Sequence, residues 1–88
     1  MPYTPDLIQE LNTLIRFDLD TSQHGIKIHK TADPAIISAT QRLHAKDLIT
    51  QMDGGYLTGL GRDAAEHAQA ALTILTSQAS NSSSATAQ

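Results

Sequence analysis

The chain has 88 residues, enough for one small domain with a thin margin of stability. It is 40% hydrophobic but 3% aromatic, so its core must be aliphatic, and Tyr3, Phe17 and Tyr56 are too few rings for a single-strand stacking platform. The absence of cysteine excludes disulfides, thiolate zinc sites and a cysteine nucleophile, while a net charge of −3 argues against general affinity for phosphate backbones.

No basic start leads into an apolar stretch, and apolar runs span a few residues, so neither a signal peptide nor a membrane span is expected. A reducing, cytoplasmic setting fits. Charge is uneven along the chain. Residues 1–20 carry Asp6, Glu10, Asp18 and Asp20 against Arg16. Residues 27–62 are mildly basic, with Lys27, Lys30, Arg42, Lys46 and Arg62 against Asp33, Asp47 and Asp53.

Thr4, Pro5 and Asp6 predict a helix start: a cap, a residue suited to the first helical position, and an acid at the positive end. Leu7, Ile8, Leu11, Leu14 and Ile15 recur at helical spacing and predict a buried stripe to about residue 16. Gln9, Glu10, Asn12, Thr13 and Arg16 fall on the other side. A polar connection, 17–25, carries Phe17 and Leu19 as apolar anchors. Ile26-Lys27-Ile28-His29-Lys30 alternates as a short half-buried strand does.

Asp33-Pro34 signals a second helix over about 34–46. It should bury Ile36, Ile37, Ala39, Thr40 and Leu43, and expose Ser38, Gln41, Arg42, Ala45 and Lys46. Asp47 is a residue that tolerates the left-handed conformation where this helix should end. Leu48–Gln51 and Tyr56–Thr58 flank Met52-Asp53-Gly54-Gly55, which predicts a β-hairpin with positive φ at one or both glycines.

Thr58 should cap a third helix over about 59–77. Leu60, Ala64, Ala68, Ala71, Leu72 and Leu75 lie on one face, with Arg62, Glu66, Gln69 and Thr73 opposite. The expected fold is α+β, with three helices packed on a small antiparallel sheet in the order α-β-α-β-β-α. A single domain is expected over 1–77. Residues 78–88 lack charge and large apolar groups, so a disordered tail is expected there.

The run Leu43–Ile49, Gly54–Thr58 and Leu60-Gly61 resembles the helix–wing–helix segment of winged-helix regulators. That resemblance implies a winged-helix-like domain over 1–77, with a helix lying in the major groove and a wing touching phosphate or the minor groove. The outward side of helix two would then read duplex nucleic acid. Ser38, Gln41 and Arg42 would face bases, and Lys46 would meet phosphate. The departures are that one helix, not two, lies between the first strand and the wing, and that the wing tip carries Asp53 and no cation.

Gly25–His29, Leu48–Gln51, Asp53–Thr58 and Leu60–Ala68 also resemble a family of short, uncharacterised proteobacterial proteins. This likeness implies a small bacterial cytoplasmic protein and supplies no catalytic residue.

Gly59-Leu60-Gly61-Arg62-Asp63-Ala64 imitates a dinucleotide-binding fingerprint, but the required parallel βαβ unit and its distant acid are missing. Small residues that let a helix start pack closely are the better account. His24, His29, His44 and His67 have no metal-ligand spacing, so no metal site is expected; His44 and His67 read as core-edge residues. Asp63, four residues before His67, could pair with it along the helix. No cofactor motif is present, and no nucleophile stands beside an ordered base, so an enzyme is not expected.

Two function classes therefore stay open. One is a regulatory module that touches nucleic acid through Ser38, Gln41, Arg42 and Lys46. The other is an interaction or homodimerisation module using Ala64, Ala68, Ala71, Leu72 and Leu75 on the smooth face of the last helix.

Overall fold

The computed structural model describes residues 2–20 and 24–77; the expected disordered tail lies outside them. Three helices and a three-stranded antiparallel sheet follow in the order α1 (Pro5–Leu14), β1 (Ile26–Lys27), α2 (Pro34–Ala45), β2 (Ile49–Gln51), β3 (Gly54–Leu57), α3 (Gly59–Thr76). The fold is α+β.

Local chemistry sets the helix ends. The hydroxyl of Thr4 accepts from the Leu7 N–H, and the Asp33 carboxylate accepts from the Ala35 N–H, each ahead of a proline in the first turn. Helix α2 ends in a Schellman arrangement. Leu48 donates to the Leu43 carbonyl at 3.0 Å and Asp47 to the His44 carbonyl at 3.0 Å, with Asp47 at φ 64°. Thr58 ties this exit to α3. Its hydroxyl donates to the Asp47 carbonyl at 2.7 Å and accepts from the Gly61 N–H at 3.0 Å.

The sheet order is β1-β3-β2, so β3 is central. Ile26 pairs with Gly55 and Lys27 with Gly54, while Ile49 pairs with Leu57 and Gln51 with Gly54. The turn is shorter than the sequence suggested: Met52 and Asp53 form it, and both glycines lie within β3. Gly55 and Tyr56 together oppose Thr50, which makes a bulge of the kind that wants a left-handed glycine first; Gly55 has φ 74°. Gly54, at φ 127°, lies against the backbone carbonyl of Ile26, where a Cβ would collide.

Leu14, Phe17, Leu43, Ile49 and Ala65 form the core, flanked by partly buried Leu19, Ile26, Leu48, Leu57 and Ala64. One face of α2 is buried or half-buried as its periodicity predicts: Ala39, Thr40 and Leu43 are buried and Ile36 and Ile37 half-buried. Two other stripes are rotated from expectation. In α1 the buried residues are Glu10, Thr13 and Leu14, whereas Ile8 is exposed. In α3 they are Gly61 and Ala65, with Arg62, Ala64, Ala68 and Gln69 half-buried and Leu60, Ala71, Leu72 and Leu75 exposed. Helix α1 packs against both α2 and α3, and Glu10 on its polar flank faces Arg42 and Lys46 at the end of α2.

Candidate functional site

Two surfaces built on α1 carry most of the site residues expected from sequence. The first is the seam between α1 and α2. Glu10 of α1 is buried, and its carboxylate accepts from Arg42 Nε at 2.8 Å, on the outer edge of α2, and from Nζ of Lys46, which caps the C-terminus of that helix. Arg42 also reaches the Asp6 carbonyl at 3.3 Å and lies 3.8 Å from its carboxylate. Burial pushes the Glu10 carboxyl up. Hydrogen bonds from Lys46 and Arg42, with their charges, outweigh burial and hold it below the ordinary carboxylate range.

This cluster separates the four residues expected to read nucleic acid. Ser38 and Gln41 are exposed on α2. Arg42 and Lys46 bind Glu10 instead of standing free, so much of their charge is compensated within the chain. Glu10 was missed in the sequence because it falls on the polar arc of α1, and its partners lie 32 and 36 residues away. A helical acid facing two cations on another helix has no local signature.

The second surface is the groove between α1 and α3, a volume of about 450 Å³. Ile8, Leu11 and Ile15 line it from α1, and Ala64, Ala68, Ala71, Leu72 and Leu75 from α3, with Tyr3 at its end. All five self-association residues named from the sequence are therefore brought together on one groove. Among the described residues no Asp, Glu, Lys or Arg lines it; Asn12 and His67 are polar members. Tyr3 is 70% exposed, Leu72 43% and Leu75 81%. From Ala70 to Ser77 every residue of the chain is exposed.

The start of α3 is held on its other side. Gly61 packs against the carbonyl of Leu48 so closely that a Cβ could not fit, whereas nothing crowds Gly59. Close packing of the helix start thus accounts for Gly61. Arg62 and Gln69, expected outside, face inward. Arg62 donates to the Leu19 carbonyl at 2.8 Å, and Gln69 to the Phe17 carbonyl at 3.2 Å. They satisfy backbone acceptors in the connection leaving α1.

The histidines do not converge. His44 and His67 are exposed rather than at the core edge, and His67 pairs through Nδ1 with the backbone carbonyl of Asp63 at 2.7 Å, not with its carboxylate. His24 stands 3.8 Å from the Asp18 carboxylate. Among the described residues no three His, Asp or Glu side chains come together as a metal site would require, and no helix is long and apolar enough to cross a membrane.

A family model described as a family of unknown function (DUF5669) matches residues 1–76. The chain belongs to this family. The matched segment contains both surfaces and every described element. No curated protein and no solved structure matches the chain.

Proposed function

We propose that the chain is a non-enzymatic self-association module in which a second copy covers the α1–α3 groove. The observation that carries this reading is the bare, apolar final stretch of α3. Leu72, Ile74 and Leu75 are exposed at 43%, 74% and 81%, beside a groove whose walls are already apolar. Two unpacked turns at a helix end gain little from helix propensity alone, so covering them stabilises the helix as well as the contact.

A second copy is the occupant favoured by charge. In a two-fold pairing the same patch meets itself, so a formal charge near the axis would face its own copy. No Asp, Glu, Lys or Arg among the described residues lines this groove, so a charged partner finds little there to recognise. Leu75 lines the groove and Ile74, beside it in sequence, is exposed, while Ala64, Ala68 and Ala71 leave room for a neighbouring helix to approach. The end of one protomer's α3 can then enter its partner's groove and receive the reciprocal contact. The small core cluster of Leu14, Phe17, Leu43, Ile49 and Ala65 gives such burial a stabilising role.

The nucleic-acid reading, a winged-helix-like module using Ser38, Gln41, Arg42 and Lys46, has less support. Arg42 and Lys46 would have to exchange Glu10 for phosphate, leaving a buried carboxylate without partners.

Sedimentation of the wild type beside Leu75→Glu and Ala68→Glu tests the proposal, with circular dichroism to confirm folding. A concentration-dependent dimer that becomes a folded monomer in both variants is the expected result. A wild type that stays monomeric at high concentration overturns it. Saturable binding of mixed duplex DNA by that monomer at about 50 mM salt, where phosphate attraction is near its strongest, would favour the nucleic-acid reading instead.

A further inference from the structure

A second hollow lies on the opposite side of α2 from the Glu10 cluster, between β1, the helix and the hairpin tip. Its volume is about 410 Å³, within the ~300–1,000 Å³ typical of small-molecule sites. Its apolar surface comes from Ile28, which is buried, Ile37, which is half-buried, and Met52. Met52 is 58% exposed in a tight turn, a position where polar residues or glycine are the norm.

The polar lining is lopsided in charge. Lys27, His29 and Lys30 come from the β1 segment and Gln41 from α2, and Asp53 is the one acid among the lining residues. Asp53 is engaged: its carboxylate lies 3.6 Å from Lys27 Nζ. Thr40 spends its hydroxyl proton on the Ile36 carbonyl at 2.7 Å, so it lines the hollow without offering that donor. Lys30, His29 and Gln41 make no side-chain hydrogen bond or ion pair among the described residues, which leaves three side chains with donors around an apolar floor.

We propose that this hollow binds a small monocarboxylate with a short aliphatic stem. The stem lies on Ile37 and Met52 and the carboxylate accepts from Lys30, with His29 and Gln41 completing its shell. The surplus positive charge at the rim selects an anion over an amine of equal length. The apolar floor selects a molecule with a stem over a bare inorganic anion. A polyanion is disfavoured, because Asp53 stands at the hairpin tip and the chain as a whole carries −3. This site is separate from the α1–α3 groove, so its ligand and self-association are read independently.

The test is an amide chemical-shift titration of the full chain with hexanoate, beside hexan-1-ol, hexylammonium and inorganic phosphate at the same pH. Saturable shifts at residues 27–30, 37–41 and 52–53 are expected with hexanoate, with affinity about tenfold weaker for the alcohol and no saturation for the amine or phosphate. Lys30→Gln, a change at an exposed loop position, should remove most of the preference for hexanoate over the alcohol. Met52→Ser should weaken both. Equal affinity for hexanoate and hexan-1-ol, an unchanged preference in Lys30→Gln, or shifts that stay linear to tens of millimolar would overturn the proposal. Shifts confined to the α1–α3 groove would overturn it too.

Discussion

Helix α1 meets its two helical neighbours by opposite means. Toward α2 the seam is closed, with Leu14 and Leu43 in a common core and Glu10 held by Arg42 and Lys46 at its edge. Toward α3 the seam opens into a groove lined by aliphatic side chains without a formal charge. The closed seam satisfies itself: each charge has its counter-charge inside the chain. The open one leaves apolar surface in water, which is where a small domain gains most from a partner. A polar position can therefore serve the fold while an apolar position stays exposed, the reverse of the usual assignment.

The largest expected effect lies in the closed seam. Leu43→Ala removes a fully buried side chain and should lower stability by about 2–5 kcal/mol in urea unfolding. A loss well under 1 kcal/mol would mean that the α1–α2 side is as loosely packed as the groove, and the contrast would fail.

Gly61→Val asks whether α3 is anchored at its start and loose at its end. The new Cβ would press on the Leu48 carbonyl, and an overpacking cost of about 1–3 kcal/mol is expected. The same Val substitution at Ala71, which is exposed, should change stability by less than about 0.5 kcal/mol in the monomer. Equal effects at both sites would remove the distinction between the two ends of the helix.

Glu10→Gln tests the ionic edge. Breaking a fully buried pair costs about 3–5 kcal/mol, but Arg42 is half-buried and Lys46 exposed, so about 1–2 kcal/mol is expected here. The wild type should show a matching pH dependence. Because the folded carboxyl titrates below its ordinary value of 4.5, the contribution is fully present well above pH 4.5 and is lost as pH falls through the depressed value. Unfolding free energies measured from about pH 6 down to pH 3 should therefore decline less steeply in Glu10→Gln than in wild type. Parallel curves would show that Glu10 is not the group responsible.

The smallest effect on the monomer belongs to the open side. Leu75→Glu changes a side chain that is 81% exposed and should alter monomer stability by less than about 0.5 kcal/mol. In a self-associating wild type it should nevertheless abolish the dependence of melting temperature on protein concentration. A concentration dependence that survives the change would place the association elsewhere.

Much of the fold was legible in the sequence because its signals are local. Thr4-Pro5, Asp33-Pro34 and Thr58 each cap a helix within three residues of themselves, and all three helix starts fall where these residues put them. The left-handed Asp47 and the positive φ of Gly54 and Gly55 follow from the few residue types that accept such backbone angles. Less legible was the bulge in β3. It arises because the central strand must pair on both sides at once, so the two glycines moved from the turn into the strand.

The candidate sites divide in the same way. Spacing alone placed Ala64, Ala68, Ala71, Leu72 and Leu75 on one face of a helix, and the fold gathers them on one groove. Periodicity reports that a face is apolar, not whether it is covered, and that distinction depends on where α1 sits. Arg42 and Lys46 were placed on the outer edge of α2 by the same arithmetic, but Glu10 across the seam changed what they can do.

By itself the sequence determined where helices begin and end, where the chain must turn, and which side chains share a helical face, since each depends on neighbours a few residues apart. The tertiary structure alone decided which face meets which partner. Glu10 became a buried counter-ion through contacts 32 and 36 residues away, and Gly61 became indispensable because the Leu48 carbonyl reaches it. Such contacts exist only once the helices have packed, because side-chain spacing along a helix constrains its own surface and leaves the surface opposite undetermined.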